Sequence, residues 1–346
     1  MAYLRVLIGI AISAICIVAL LSQVDLQLTW LALTNAQPAW LVLAVLVLLA
    51  TMETKAYRWG LLYYPTRGLR LGHLTSALYI GYMVSALVPM RLGELVRAYL
   101  IGKTEPVSFS QSVGTVLVEK VLDVVTILAF LAVLALLVPL PELAVPGPAL
   151  AALGLGGLAV LLGLAWLPRE PLLNLLARLQ LHLPGSRRWN LVKLVGPFLE
   201  ALAVLRHRQL LPALAFWSLL NWGLSALINY LVMQALGVPA PFAAAVFLTV
   251  VTNLGMVVPS APGYVGVFHY LAVVSLAAFA VDASHAMGYA LVLHALVYGT
   301  FIVGGLFCVW RGGYQLADLW PGRGPAATPV PELVPAVAPG DGSLSA

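Results

Sequence analysis

Apolar residues run along this chain in blocks too long for a soluble fold. Six blocks, about 3–22, 38–60, 108–138, 149–167, 209–236 and 284–310, are long enough to cross a bilayer as helices. A hydrocarbon core of about 30 Å takes roughly 20 residues of helix. Two further apolar regions, about 73–103 and 241–281, are broken in the middle. The first breaks at Pro89-Met90-Arg91-Leu92-Gly93-Glu94, the second at Pro259-Ser260-Ala261-Pro262-Gly263-Tyr264-Val265-Gly266. Proline removes a backbone donor and clashes with the preceding turn, and glycine weakens a helix further. Each region therefore predicts a helix–break–helix hairpin, either re-entrant or fully crossing. The fold class that follows is all-α: a polytopic membrane protein with about six spanning helices and two hairpins. The block after Arg5 is longer than a signal-peptide core of about 7–15 residues and reads as an uncleaved first helix.

The pattern occurs twice. Ser110, Gly114, Leu117, Val118, Leu122 and Thr126 align with Ser284, Gly288, Leu291, Val292, Leu296 and Thr300. Upstream, Pro89 and Gly93 align with Pro259 and Gly263. The order helix, broken hairpin, helix is common to both stretches. If the two hairpins open on opposite sides, the chain is an inverted repeat, the plan of many secondary transporters.

Charge decides the sidedness. Lys55, Arg58, Arg67, Arg70, Lys103, Arg169, Arg178, Arg187, Arg188, Lys193, Arg206, Arg208, Arg311 and Arg323 fall in segments expected on one side, and the opposite loops hold only Asp25, Glu142 and Asp282. The positive-inside rule then places both termini in the cytoplasm of an inner-membrane protein. The net charge of +5 is thus a topology signal, and no nucleic-acid partner is expected. Cys16 and Cys308 both lie in apolar blocks, which argues against a disulfide framework. Residues 1–315 read as one membrane domain. Within it, 168–208 is either a pair of amphipathic helices on the inner leaflet or a packed connector. Residues 316–346, rich in Pro and Ala, read as a disordered cytoplasmic tail.

Charges inside the apolar blocks carry the candidate chemistry, because each is costly there unless paired or solvated. Arg91, Glu94 and Arg97 follow the first break at spacings that allow local pairs. Glu119 and Asp123 share a helix face beside Lys120, and a cation between them is expected from Arg91 or Arg97. Counted together these six are neutral, which fits a structural ion network. It fits equally a polar cavity in which Arg91 and Arg97 grip a phosphate, since guanidinium binds phosphate in two-pronged fashion. In the second half Tyr264 and His269 supply polar atoms at the break, and His294 aligns with Lys120. Asn221, Asn229 and Asn253 read as interhelical hydrogen-bond partners, and Trp30, Trp40, Trp59 and Trp310 as an interfacial belt. No Walker, His-Glu-x-x-His, Gly-x-Ser-x-Gly or Cys-x-x-Cys pattern is present, so neither an enzyme nor a cofactor is expected.

Arg91-Leu-Gly93-Glu94-x-x-Arg97, Glu119-Lys120-x-x-Asp123 and Pro262-Gly263-x-x-Gly266 resemble three signatures of the flippase-like membrane family, which includes the transmembrane half of bacterial lysylphosphatidylglycerol synthases. The resemblance covers roughly 5–315. Tyr264 stands where that pattern has a second glycine, and His269 where it has a glutamate. The synthases' lysyl-transferring domain has no counterpart in these residues, so lysyl transfer is not expected of them. The resemblance implies a lipid flippase or scramblase for a phosphate-bearing lipid, either a phospholipid or a polyprenyl-phosphate glycolipid. On that reading Arg91, Glu94, Arg97, Glu119, Lys120, Asp123, Pro262, Gly263, Tyr264, Gly266 and His269 bind substrate. The alternatives are an intramembrane transferase with Glu119 and Asp123 as acid and base, or a non-transporting partner of a separate lipid-modifying enzyme.

Overall fold

A computed structural model describes residues 2–66, 68–88, 92–137, 166–182 and 191–313, with a few positions between 152 and 163. The expected span at 149–167 and the tail at 316–346 lie largely or wholly outside the described residues, as do Arg67, Pro89, Met90 and Arg91. The described elements are helical: α1 (Ala2–Leu21), α2 (Leu26–Thr34), α3 (Pro38–Leu61), α4 (Leu71–Leu87), α5 (Gly93–Thr104), α6 (Phe109–Leu137), α7 (Arg169–His182), α8 (Leu191–Leu202), α9 (Leu211–Ala235), α10 (Phe242–Gly255), α11 (Val267–Ala277) and α12 (Ala283–Gly312). By length and apolarity α3, α9 and α12 can each cross a membrane. The 29-residue α6 is long enough too, and carries Glu119, Lys120 and Asp123.

End contacts fix how these helices run. At one end Gln37 N–H, before α3, donates to Ala235 O at the close of α9 at 2.8 Å. There also Asp25 N–H donates to Ser284 Oγ at 2.9 Å. This is the acidic end, where Asp25 and Asp282 cap α2 and α12. At the other end Arg70 N–H donates to Glu105 Oε1 at 3.2 Å, tying the start of α4 to the close of α5. Hence α3 and α9 run antiparallel, and so do α6 and α12. The α4–α5 hairpin opens to the basic end and the α10–α11 hairpin to the acidic end. The repeat is inverted.

Neither hairpin crosses. The legs α4, α5, α10 and α11 have 17, 12, 14 and 11 residues, each short of the roughly 20 that a crossing helix takes. The hairpins are re-entrant and their tips meet. A Cβ added to Gly263 would lie 3.3 Å from Ala86 O, just before the first break. The helix α1 seals the second break from outside: Ala261 N–H donates to the buried Ser13 Oγ at 2.8 Å. Beyond α1 the chain turns by 90° into α2, whose Trp30 is exposed.

Two large apolar cores form, and α3 contributes to both. One gathers Trp59, Tyr63, Leu78, Ile80, Ile101 and Leu202, the other Val232, Met233, Leu248, Leu276 and Tyr289. The connector divides: α8 packs on α6 with Leu202 and Leu205 buried, whereas the described side chains of α7 are mostly exposed. Asn229 joins three helices, donating to Thr249 Oγ1 and accepting from Tyr289 Oη at 2.8 Å. Asn221 accepts from Thr54 on α3, while Asn253 donates within its own helix, to Thr249 O. Trp59 departs from the expected aromatic belt. It is fully buried and donates from Nε1 to Thr115 Oγ1 at 3.0 Å, because α6 lies across the last turn of α3.

Candidate functional site

The site is assembled around α6. Glu119 and Asp123 are four residues apart and so share a face, which looks onto α3, α5 and α9. Arg97, one turn into α5, reaches Glu119 Oε2 with Nη2 at 3.0 Å and lies 4.8 Å over the Trp59 ring. Arg58 of α3 reaches Asp123 Oδ1 at 2.7 Å and Glu119 Oε1 at 3.4 Å. From α9, Ser218 Oγ stands 3.1 Å from Arg58 Nη1, and Trp222 Nε1 donates to Asp123 at 3.2 Å. Arg58, Arg97 and Glu119 are 1%, 4% and 1% exposed, so these charges meet without bulk water between them. Lys120 pairs with Glu94 at 2.9 Å, with 39% and 32% of their side chains exposed, which makes this the open flank.

The carboxylates thus find cations, and partly the expected ones. Arg97 serves Glu119, whereas Glu94 turns to Lys120 instead of pairing with Arg97 along its own helix. Arg91 lies outside the described residues. The cation not foreseen is Arg58, which the sequence pattern assigns to a basic loop. Its signal was available: Thr51, Thr54, Lys55 and Arg58 stand at i, i+3, i+4 and i+7, a polar stripe on a largely apolar helix. With Arg58 included, three cations and three carboxylates balance within the described network.

The second break is a separate cluster. Pro262, Gly263 and Tyr264 form a short 3-10 turn, and Gly263 and Tyr264 within it and Gly266 just after it have positive φ (67°, 58° and 87°). Glycine adopts that region without strain. At Gly266 a Cβ would also come within 2.5 Å of Ser13 O. His294 Nε2 donates to Gly263 O at 2.7 Å, and the His269 ring lies 4.9 Å from the His294 ring. His294 at the second break and Lys120 at the first occupy aligned repeat positions. The two clusters are linked by Gly263 against Ala86, and by a row of rings in which Tyr82 stacks on Phe301 and Tyr298 on His294. A cavity of about 350 Å³ opens at the basic end, lined by Tyr57, Leu61, Tyr64, Leu71 and Leu210 among others. None of the network residues lines it. Among the described residues no group of three or more His, Cys, Asp and Glu could hold a metal ion.

Residues 6–305 match the family described as the lysylphosphatidylglycerol synthase TM region. The chain belongs to that family. Relatives of this TM region include the Glycosyltransferase AglD of Haloferax volcanii, 27% identical over 286 residues, which are 70% of this chain and 46% of AglD. The UPF0104 membrane protein MJ1078 of Methanocaldococcus jannaschii is 24% identical over 222 residues, 64% of this chain and 91% of that protein. The chain thus spans about half the length of AglD. For a TM region of this family, the re-entrant breaks and the ion network around α6 are the features that depart from plain helix packing.

Proposed function

We propose that this protein moves a phosphate-bearing lipid across the membrane without changing it covalently. The observation that carries the reading is the meeting of two re-entrant breaks that enter from opposite ends, beside charges held in the apolar interior. Broken helices at the centre of an inverted repeat are where transporters place their binding sites. The family is named for a synthase of a modified phospholipid, which agrees with a lipid substrate. The described network is neutral without Arg91, so Arg91 adds positive charge near the first break in sequence, suited to a phosphate. Glu119, held between two guanidiniums, is poorly placed to trade protons, which disfavours the transferase reading. A partner role has one observation in its favour, the match to only about half of AglD.

Protein in liposomes is expected to speed exchange of a headgroup-labelled anionic lipid between leaflets, with no new lipid mass detected. Arg91→Ala will abolish the exchange, and Arg91→Lys will restore it in part, because an ammonium keeps the charge but not the planar fork. A modified lipid product would favour the transferase, and activity only beside a second protein would favour the partner.

The basic end faces the cytoplasm in this proposal, with both termini on that side. Cysteines at Gln27 and Asp282 will react with an impermeant thiol reagent added to intact cells, and cysteines at Arg70 and Arg208 will not. The opposite labelling overturns the orientation.

A further inference from the structure

Lys55 is the cation on α3 that the ion network leaves over. It is half-buried and lies three residues before Arg58 on the polar stripe. Its Nζ is 3.5 Å from the Tyr82 hydroxyl and 5.3 Å from the centre of that ring. Among the described residues no carboxylate stands within ion-pair distance of it. Glu53, two positions earlier and so on another face, is exposed and accepts from Thr75 Oγ1 at 3.0 Å. Lys55 is six residues before the end of α3, roughly 9 Å in from the basic end. A cation partly buried on an apolar helix without a counter-charge carries a cost. Arg58 and Arg97 are matched by Glu119 and Asp123, and Lys120 by Glu94. Lys55 is not matched. From Tyr82 the row of rings leads through Phe301 and Tyr298 to His294 at the second break.

We propose that Lys55 and Tyr82 form the seat for a lipid phosphate on the path between the two breaks, with Phe301, Tyr298 and His294 as its wall. Lys55 supplies the charge, and Tyr82 positions the ammonium and offers a hydroxyl to a second phosphate oxygen. This rests on the transport reading for its substrate class and adds the residues that hold it. Aromatic neighbours suit a lysine that is empty for part of the cycle, since a ring face stabilises the ammonium without neutralising it.

The test is a calorimetric titration of the purified protein with dihexanoyl phosphatidic acid, dihexanoyl glycerol and inorganic phosphate, together with leaflet exchange in liposomes. Phosphatidic acid should bind and the phosphate-free glyceride should not. Lys55→Met should weaken binding by roughly tenfold or more, Tyr82→Phe by a smaller factor of about three, and Lys55→Arg should keep most of it. Without ligand, Lys55→Met should unfold at the same temperature or higher, because an unmatched charge has left the apolar interior. A lower unfolding temperature with unchanged affinity makes Lys55 a structural contact to Tyr82 and overturns the proposal. Inorganic phosphate binding as tightly, with the same dependence on Lys55, would keep the seat and overturn the lipid as its ligand. Exchange that persists in Lys55→Met overturns the seat and leaves transport standing. Lys55-dependent binding with no exchange in the wild type does the reverse.

Discussion

Glu119→Gln will lower stability by about 3–5 kcal/mol, the usual cost of removing one partner from a buried ion pair, and adding Arg97→Met will return part of the loss. Glu119 takes Arg58 at 3.4 Å and Arg97 at 3.0 Å on its two oxygens. Without it Arg58 keeps Asp123 at 2.7 Å, but Arg97 is left with the Trp59 ring. Arg97 can spare nothing, since Nε and Nη1 already lack hydrogen-bond partners in the described structure. The double variant Glu119→Gln/Arg97→Met again balances one cation against one carboxylate, so the two changes should be strongly non-additive. Thermal unfolding in detergent measures this directly. An unfolding temperature for Glu119→Gln equal to the wild type would mean that Glu119 does not balance the arginines. A double variant worse than either single would mean the same for Arg97.

Gly93→Ala should be the most damaging single methyl addition in the chain's first half. A Cβ at Gly93 would fall 1.8 Å from Gly81 O and 2.4 Å from Ser85 Oγ, so the legs of the first hairpin touch backbone to backbone there. Only separation of α4 from α5 relieves a clash with a carbonyl, and that moves Glu94 and Arg97 away from Lys120 and Glu119. The expected loss exceeds the roughly 1–3 kcal/mol of ordinary overpacking, and lipid exchange is lost with it. Gly299→Ala is the control: it lies within α12 with nothing within 4 Å of the added carbon, and should be neutral or stabilising by up to about 1 kcal/mol. A Gly93→Ala protein that unfolds and exchanges like the control would show that the close approach carries no function.

The architecture was legible in the sequence because the bilayer imposes it. Blocks near 20 apolar residues, proline–glycine breaks and one-sided Lys and Arg follow from the cost of exposing backbone or charge to hydrocarbon, and all three are written in the order of residues. The repeat was legible for the same reason: Phe109 and Ala283 open α6 and α12 one residue before the aligned serines. The burial of Trp59 was not, and the role of Arg58 showed only as the end of the polar stripe on α3. Both sit in the last turn of α3, where a basic or aromatic residue usually marks the interface, and they become interior only because α6 and α9 extend beside that turn.

What the sequence by itself determined is which residues must be satisfied: Glu94, Arg97, Glu119, Lys120 and Asp123 in the apolar blocks, and the backbone at two breaks. What only the tertiary structure decided is which partner satisfies each one. Arg97 and Glu94 are at helical spacing yet bind Glu119 and Lys120 on α6, and Lys55 is left facing Tyr82. Whether the hairpins turn back or cross was likewise decided by their tips meeting. Local spacing says which side chains of one helix share a face, but the neighbour that face meets depends on residues far away in the chain, and in a low-dielectric interior the nearest opposite charge outweighs sequence proximity.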